Sequence, residues 1–299
     1  MINVLPAYTA STGHKAREVV GEAFWEYFQK KGYEDGSILV KNRHQNSTDN
    51  KIPLKDIARF EVAGAIGLLV NTAPAAFWML FYLYSHPQVL QDCRKELDRT
   101  IVTSTLADGS VRRFVDITNV KTQCPFLTSI FTETLRERGM ALSVRKVMHD
   151  AFLDGQYLLK EGRTIMMPAR VLHNDPELWG SDVGQFNPNR FQKDKSTKKH
   201  DPTAFRGFGG GTTLCPGRHF ATTEILSTVL MFVLRYELEP TNGWAIPTTD
   251  KTSVAAAVME PDTDVEVRIH PRMGFEKGEW AFGLKDSEMA FAVAAEDNA

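Results

Sequence analysis

The sequence is poor in cysteine and has no excess of either charge. Its three cysteines, Cys93, Cys124 and Cys215, are too few and too widely spaced for a disulfide framework, and no CxxC pair suggests zinc. We therefore expect a reducing compartment. The 35 Lys and Arg against 37 Asp and Glu give a net charge of -2, so no nucleic-acid partner is expected. Residues 1–20 lack the basic start and apolar core of a signal peptide.

Charged side chains are also absent from Val62 to Gln91. This segment is long enough to be read as a membrane span, which needs ~20 apolar residues. However, Asn71, Thr72 and Pro74 lie at its centre, where polar groups are unfavourable in lipid. A long helix through the core of a soluble protein has the same composition, and we favour it over the membrane span.

The remaining pattern predicts a mainly α protein with small β-sheets. A polar stretch, 41–51, is expected to separate the first helix from the long apolar one, and an Asp154-Gly155 turn is expected near the strands. We expect one domain over residues 1–272 and a weakly ordered tail over 273–299. Beyond the apolar segment, the expected helices are 14–32, 124–139 and 218–238, and the expected strands are 142–148, 162–170 and 264–272.

The most informative stretch is FGGGTTLCPG, Phe208 to Gly217. Three consecutive glycines allow a tight backbone course before Cys215, and Pro216-Gly217 makes a turn into a helix. A cysteine thiolate persists where its charge is stabilised, for example at a helix N-terminus. A phosphate-binding loop does not fit, because the Lys-Ser/Thr pair of that motif is missing. The alternative is a glycine-rich loop with an incidental buried cysteine.

This stretch resembles the haem-ligand loop of the cytochrome P450 family. The resemblance implies that Cys215 is the axial thiolate ligand of the iron of haem b, and that Phe208 packs beside the sulfur. It also implies that the glycines, Gly209 among them, let the loop lie beneath the flat porphyrin. Thiolate ligation favours cleavage of the O–O bond.

Two further motifs strengthen the resemblance. Glu133 and Arg136, in ETLR, share a helix face, and FNPNRF supplies Arg190 before the cysteine loop. In the family, an ExxR pair and a later arginine form a buried triad. The chain is thus similar to the C-terminal part of the family fold, with a long central helix, the ExxR helix, and the haem-ligand loop followed by a helix.

The resemblance also assigns residues near the haem. The central helix crosses the oxygen-binding face, where an acid usually precedes a threonine; here the pair is Asn71-Thr72, and both are candidate catalytic residues. The string NTAPAAFW is similar to the branch with sterol 7-alpha-hydroxylase and prostacyclin synthase. Arg145 is implied to pair with a haem propionate. Thr213 stands where many relatives have a basic residue, so the second propionate contact is expected to be weaker.

The implied function is a monooxygenase that inserts one oxygen atom from O2 into a lipophilic small molecule, in fungal secondary metabolism or lipid oxidation. Electrons would come from NADPH through a reductase on the proximal side, near a basic cluster. Residues 140–144 and 255–258 would line the substrate pocket. The basic cluster is Lys193, Lys195, Lys198, Lys199 and Arg206.

Two other functions stay open at this point. One is a haem-thiolate isomerase or dehydratase that needs no reductase, suggested by Asn71. The other is a truncated, catalytically inactive remnant, because roughly the N-terminal half of the family pattern, with its membrane anchor, does not appear in the sequence. Full-length relatives are expected on the cytoplasmic side of the endoplasmic reticulum, and a chain without the anchor in the cytoplasm.

Overall fold

The structure, a computed structural model, describes residues 6–192, 201–253 and 256–284. These ranges are mainly helical with small sheets, as the sequence predicted. The helices are α1 Pro6–Thr9, α2 Ser11–Gln29, α3 Ile38–Asp49, α4 Leu54–Leu69, α5 Thr72–Ser85, α6 Pro87–Leu97, α7 Ile117–Gln123, α8 Pro125–Arg138, α9 Ala169–His173, α10 Pro176–Trp179 and α11 Arg218–Arg235. The strands are β1 Ile101–Thr105, β2 Val111–Asp116, β3 Leu142–Lys146, β4 Ala151–Leu153, β5 Tyr157–Leu159, β6 Thr164–Pro168, β7 Tyr236–Pro240, β8 Val267–Pro271 and β9 Glu279–Gly283.

Contacts within the chain divide it into two compact units, one ending at Val70 and the other beginning at Asn71. In the first unit α2 packs against α4, and Phe28, Ile57 and Ala58 form a small buried core. The second unit holds the larger core and the predicted site residues. The single domain expected over residues 1–272 is therefore two units by this criterion.

The polar stretch 41–51 was expected to be a connection, and that prediction is wrong, because most of it lies in α3. Ser37 caps this helix by accepting a hydrogen bond from the Val40 amide. Arg43 pairs with Glu61 of α4, with Nε 3.0 Å from Oε1. A cap and an ion pair thus hold a helix without the apolar stripe by which helices are recognised in a sequence.

The long apolar segment is two helices, since a turn at Val70 and Asn71 separates α4 from α5. Pro74 explains the break, because its ring excludes the carbonyl of Val70 four residues earlier and its nitrogen has no hydrogen to donate. By length and composition the stretch Leu54–Ser85 could cross a membrane, with a mean hydropathy of 1.6. A core helix passes the same test, and nine of the fourteen residues of α5 are buried.

The core of the second unit is built from α5, α8 and α11, and α5 packs against both of the others. Its α11 members recur in adjacent pairs every four residues and so form one helical face. At the start of α8, Glu96 accepts hydrogen bonds from the amides of Phe126 and Leu127, each at 3.0 Å, so the free amides of the first turn are satisfied. The buried apolar residues of α11 are Ile225, Leu226, Val229, Leu230, Val233 and Leu234.

The predicted strands 142–148 and 162–170 pair antiparallel as β3 and β6. The predicted turn lies between the inner pair β4 and β5, where Asp154 and Gly155 both have positive φ, 51° and 64°. Two successive residues with positive φ match the right-handed twist of a hairpin. The third predicted strand is β8, which pairs with β7.

The tail expected to be weakly ordered contains a strand, so that expectation is wrong for residues 279–283. β9 pairs in parallel with β2, which also pairs with β1 to make a three-stranded sheet. Trp280 and Phe282 stack at 6.0 Å and pack against the core. Burial of two aromatic rings outweighs the polar character of the surrounding tail.

Candidate active site

The loop before α11 folds back on itself to present Cys215. Gly209 and Gly211 have φ of +82° and +61°, a left-handed conformation that favours glycine. The Cys215 amide donates to the Phe208 carbonyl at 3.0 Å, which closes the loop. A Cβ added at Gly217, the N-cap of α11, would lie 3.9 Å from the Cys215 Sγ. The sulfur therefore lies beside the first residues of a long helix.

Accessibility distinguishes the three thiols of the chain. Cys93 and Cys124 are fully buried, whereas Cys215 is partly exposed. Burial raises the pKa of Cys124 to about 12 and that of Cys93 well above its usual range. Thiols that stay protonated and buried cannot serve as ligands or nucleophiles. Cys215 is thus the thiol whose surroundings permit chemistry.

A cavity of about 530 Å³ lies between the glycines of this loop and the sheet of β3 and β6. Arg145 of β3 lines it and donates to the Val144 carbonyl at 3.0 Å and to the Thr213 hydroxyl. The resemblance assigns Arg145 and Thr213 to the contacts of two different haem propionates. The structure brings these two side chains into contact. The other lining residues are Ala141, Ser143, Met167, Pro168, Ala169, Val171, Leu172, Arg206, Gly209, Gly210 and Gly211.

The residue types of the cysteine loop and of β3 fit a haem, although Cys215 itself does not line this cavity. The donor set offers one soft sulfur ligand, Cys215, and a guanidinium, that of Arg145, able to neutralise a carboxylate. The apolar lining of the cavity suits a porphyrin edge.

A second cluster is the buried triad of Glu133, Arg136 and Arg190. Arg136 holds the Glu133 carboxylate with two bonds, Nε to Oε2 at 2.7 Å and Nη2 to Oε1 at 2.8 Å. Arg190 Nε lies 3.1 Å from both carboxylate oxygens of Glu133. The backbone amide of Asn187 donates to Oε1 at 3.0 Å. Glu133 and Arg136 are fully buried. The three residues named from the sequence thus meet in one charge-assisted network.

Sequence reasoning missed the fourth member of this network, Asp182. Its carboxylate accepts from Arg190 Nη1 and Nη2 at 3.1 Å, and its backbone carbonyl also accepts from Nη2. The hydrogen bond from Arg190 holds the pKa of Asp182 below its usual range. Two carboxylates therefore balance two guanidiniums. An acid eight residues before Arg190 was the only signal in the sequence.

Asn71 and Thr72 lie at the beginning of α5. The Asn71 side-chain oxygen accepts from the Ala257 amide at 2.8 Å, and Thr72 is buried in the first turn. The Ala257 carbonyl accepts in turn from the Met140 amide at 2.8 Å. Asn71 thus has a packing partner in the segment that was expected to line the substrate pocket.

The structure describes only some of the other residues that are expected to line the substrate pocket or to bind a reductase. Ala256 and Val258 are buried in the core, which leaves Ala257 as the partly exposed residue of this segment, and Ala255 lies outside the described residues. Of the basic cluster, the structure describes Arg206. The four others, Lys193, Lys195, Lys198 and Lys199, also lie outside the described residues.

Comparison with known proteins agrees with this architecture. The sequence profile of the cytochrome P450 family matches residues 37–267. The chain therefore belongs to the cytochrome P450 family, as its motifs predicted.

Three relatives show the range of similarity. The chain is 34% identical over 301 residues to the cytochrome P450 monooxygenase nodJ of Hypoxylon pulicicidum, covering 98% of this chain and 59% of that protein. It is 25% identical over 281 residues to the cholesterol 7-alpha-monooxygenase of Cricetulus griseus, covering 88% and 55%. It is 30% identical over 170 residues to the bifunctional cytochrome P450/NADPH–P450 reductase ALT2 of Alternaria alternata, covering 56% and 14%. The chain spans somewhat over half the length of the first two.

Proposed function

We propose that this protein is a haem-thiolate monooxygenase with Cys215 as the axial ligand of haem b. The observation that carries the proposal is the single accessible thiol, presented by a loop of left-handed glycines at the start of an 18-residue helix. Haem held by a cysteine thiolate supplies the iron at which dioxygen is activated. The overall reaction is RH + O2 + NADPH + H+ giving ROH + H2O + NADP+.

The Cys215 sulfur lies at the N-terminus of α11. The N-terminus of a helix carries a partial positive charge, which acts within the first turn. Gly217, the N-cap of α11, lies directly against the sulfur, and its missing side chain leaves the helix amides open to it.

Arg145 is the residue we propose for a haem propionate. It is held over the cysteine loop by its bond to Thr213, so its guanidinium is oriented before the cofactor binds. A guanidinium has five donors in a planar fork, and it can keep the Thr213 bond while binding a carboxylate. Thr213 has no charge with which to neutralise a propionate. Its role would be to position the guanidinium of Arg145.

Asn71 and Thr72 divide the roles on the oxygen-binding side. We assign Thr72 to the delivery of protons during oxygen activation and Asn71 to the placement of the pocket segment at Ala257. The isomerase or dehydratase alternative depended on Asn71 replacing an acid. The hydrogen bond from the Ala257 backbone amide to the Asn71 side chain explains an asparagine at this position without an isomerase or dehydratase reaction. Oxygen insertion is therefore the better supported activity.

The proposed partners follow from the reaction. A monooxygenase of this kind needs electrons from NADPH, and the name of the Alternaria relative shows that a reductase can be joined to such a domain. We propose a separate reductase on the cysteine side of the haem and a lipophilic substrate.

The test of the proposed ligand is the ferrous–CO spectrum of the haem-loaded chain. The wild type, Cys93→Ser and Cys124→Ser are expected to show the red-shifted band of thiolate ligation. Cys215→Ser is expected to lose it. The same band in Cys215→Ser would refute the assignment, and a wild type that takes up no haem would favour an inactive remnant.

A further inference from the structure

His173, the last residue of α9, is fully buried next to the cysteine loop. Its ring stacks on Phe205, with centroids 5.7 Å apart and planes at 11°. Its Nε2 accepts a hydrogen bond from the Arg206 amide at 2.8 Å. Its Nδ1 has no hydrogen-bond partner among the described residues, and a Cβ at Gly139 would lie 3.2 Å from it.

The ring is neutral in the folded chain. Burial, and after it the charge of Arg136, lowers the pKa of His173 to about 4; Arg170 and Arg206 act in the same direction. Because Nε2 accepts, the ring proton is on Nδ1, where it is buried and unpaired. Such a donor is unfavourable in a protein interior, and an apolar ring of similar size would avoid it. The acceptor at Nε2 is therefore the feature that distinguishes histidine at this position.

The backbone of His173 contacts the buried triad. Arg136 uses two of its nitrogens for Glu133 and donates from the third, Nη1, to the His173 carbonyl at 2.7 Å. One residue thus accepts from the ExxR arginine through its backbone and from the cysteine loop through its side chain. Two hydrogen bonds through His173 therefore connect the Arg206 amide with Arg136, which in turn holds Glu133.

From Arg206 the hydrogen bonds continue to the ligand. The Gly209 amide donates to the Arg206 carbonyl at 3.1 Å, and the Cys215 amide donates to the Phe208 carbonyl at 3.0 Å. Between them, Gly209 and Gly211 have left-handed conformations, and the Leu214 amide donates to the Gly211 carbonyl at 3.1 Å, so a continuous set of hydrogen bonds links Arg206 with Cys215. A shift at Arg206 would therefore be transmitted to Cys215.

We propose that His173 is a positioning residue, which sets the place of the Cys215 sulfur by joining the Arg206 amide to the Glu133–Arg136 pair. The inference rests on the proposed function in one respect, that Cys215 is the haem ligand. The hydrogen bond itself does not depend on haem, so the two can fail separately.

Two amide variants separate the acceptor from the packing. In His173→Gln the side-chain oxygen can take the place of Nε2, whereas in His173→Asn the amide stands near the place of Nδ1 and leaves Arg206 without an acceptor. Both variants remove an aromatic ring and leave a polar side chain. A role in packing alone would therefore make them similar, and a role of the acceptor would make them differ.

The first measurement is hydrogen exchange at the Arg206 amide, in the chain without added haem. We expect wild-type protection in His173→Gln and a loss of about three- to tenfold in His173→Asn, as for one hydrogen bond. The second is the ferrous–CO spectrum of the haem-loaded variants. His173→Gln is expected to keep the thiolate band, and His173→Asn to convert much of it to the band of a thiol or lost ligand.

Equal behaviour of the two variants in both measurements would overturn the proposal. A wild type without a thiolate band, but with a protected Arg206 amide, would instead refute the proposed ligand. If His173→Asn does not accumulate, Arg206→Pro removes the donor and leaves the imidazole in place. Phe205, with ψ of 121°, has the extended conformation that a following proline requires. An unaltered thiolate band in Arg206→Pro would overturn the proposal.

Discussion

Replacement of Glu133 by Gln measures what the buried triad contributes. The carboxylate accepts from both nitrogens of the Arg136 fork, from Arg190 and from the Asn187 amide, all within 3.1 Å. Glutamine keeps the shape but removes the charge and turns an NH2 toward two guanidiniums. Breaking a buried ion pair on one side destabilises by about 3–5 kcal/mol. Typical domains have ~5–15 kcal/mol in total, so a large part of the stability should disappear.

The matched control is Asp98→Asn. Arg272 also binds the Asp98 carboxylate with two bonds, here from Nη1 and Nη2 at 2.9 and 2.7 Å, but the side chain of Asp98 is 37% exposed. An exposed pair contributes about 0–1 kcal/mol, so this variant should unfold almost as the wild type does.

Urea unfolding followed by tryptophan fluorescence is a suitable assay. In a Trp25→Phe background the four remaining tryptophans all lie in the second unit, which also contains both ion pairs. The free energy of unfolding should fall for Glu133→Gln by at least about three times the change for Asp98→Asn. Equal, small losses of unfolding free energy in the two variants would show that burial does not increase the contribution of the triad to stability.

The remaining predictions concern acid stability and the start of α5. The neutral imidazole of His173 implies that stability falls as pH drops from 6.5 towards 4, by about 3 kcal/mol in all, because the unfolded chain binds the proton first. His173→Gln should lack this loss of stability. The measure is the difference in the free energy of unfolding between wild type and His173→Gln at each pH. A difference is needed because burial raises the pKa of Glu137, and its protonation stabilises the folded chain as pH falls. Asn71→Asp should keep the bond to the Ala257 amide and the wild-type free energy of unfolding, whereas Asn71→Ala should lose about 1 kcal/mol. Equal losses would mean that the bond does not stabilise the chain. Thr72→Ala should bind haem normally but release hydrogen peroxide in place of product, measured against NADPH consumption with a reductase; unchanged coupling would remove Thr72 from proton delivery.

The Glu133–Arg136 pair could be found from the sequence because spacing determines part of its geometry, whereas Arg190 and the buried triad were assigned by the resemblance to the family. Residues three apart on a helix, such as Glu133 and Arg136, share a face whatever the rest of the chain does. Asp182 could not be found in this way, because a loop brings it to Arg190 and loops impose no periodicity. His173 was missed for a related reason, since its partner is a backbone amide and leaves no mark on the sequence.

The errors in the fold have a similar origin. α3 lacks an apolar stripe and depends on the Ser37 cap and on Arg43, both of which are ordinary polar residues in the sequence. β9 pairs with a strand far earlier in the chain, where Ala281 lies opposite Phe114. Pairing over such a distance is a tertiary effect, and local propensity for the tail gave no indication of it.

Asn71 shows how a residue can be assigned from its place in a motif and explained by its neighbours. Trp78 lies seven residues later on the same face of α5, and its indole donates to the Met259 carbonyl at 2.7 Å. Asn71 accepts from the Ala257 amide, two residues earlier in that segment. One helix face therefore holds the segment at two points, with an acceptor at one and a donor at the other. An acid at position 71 could also accept from Ala257, and its carboxylate would add a negative charge that the N-terminus of a helix tolerates. The neutral amide supplies the acceptor without that charge.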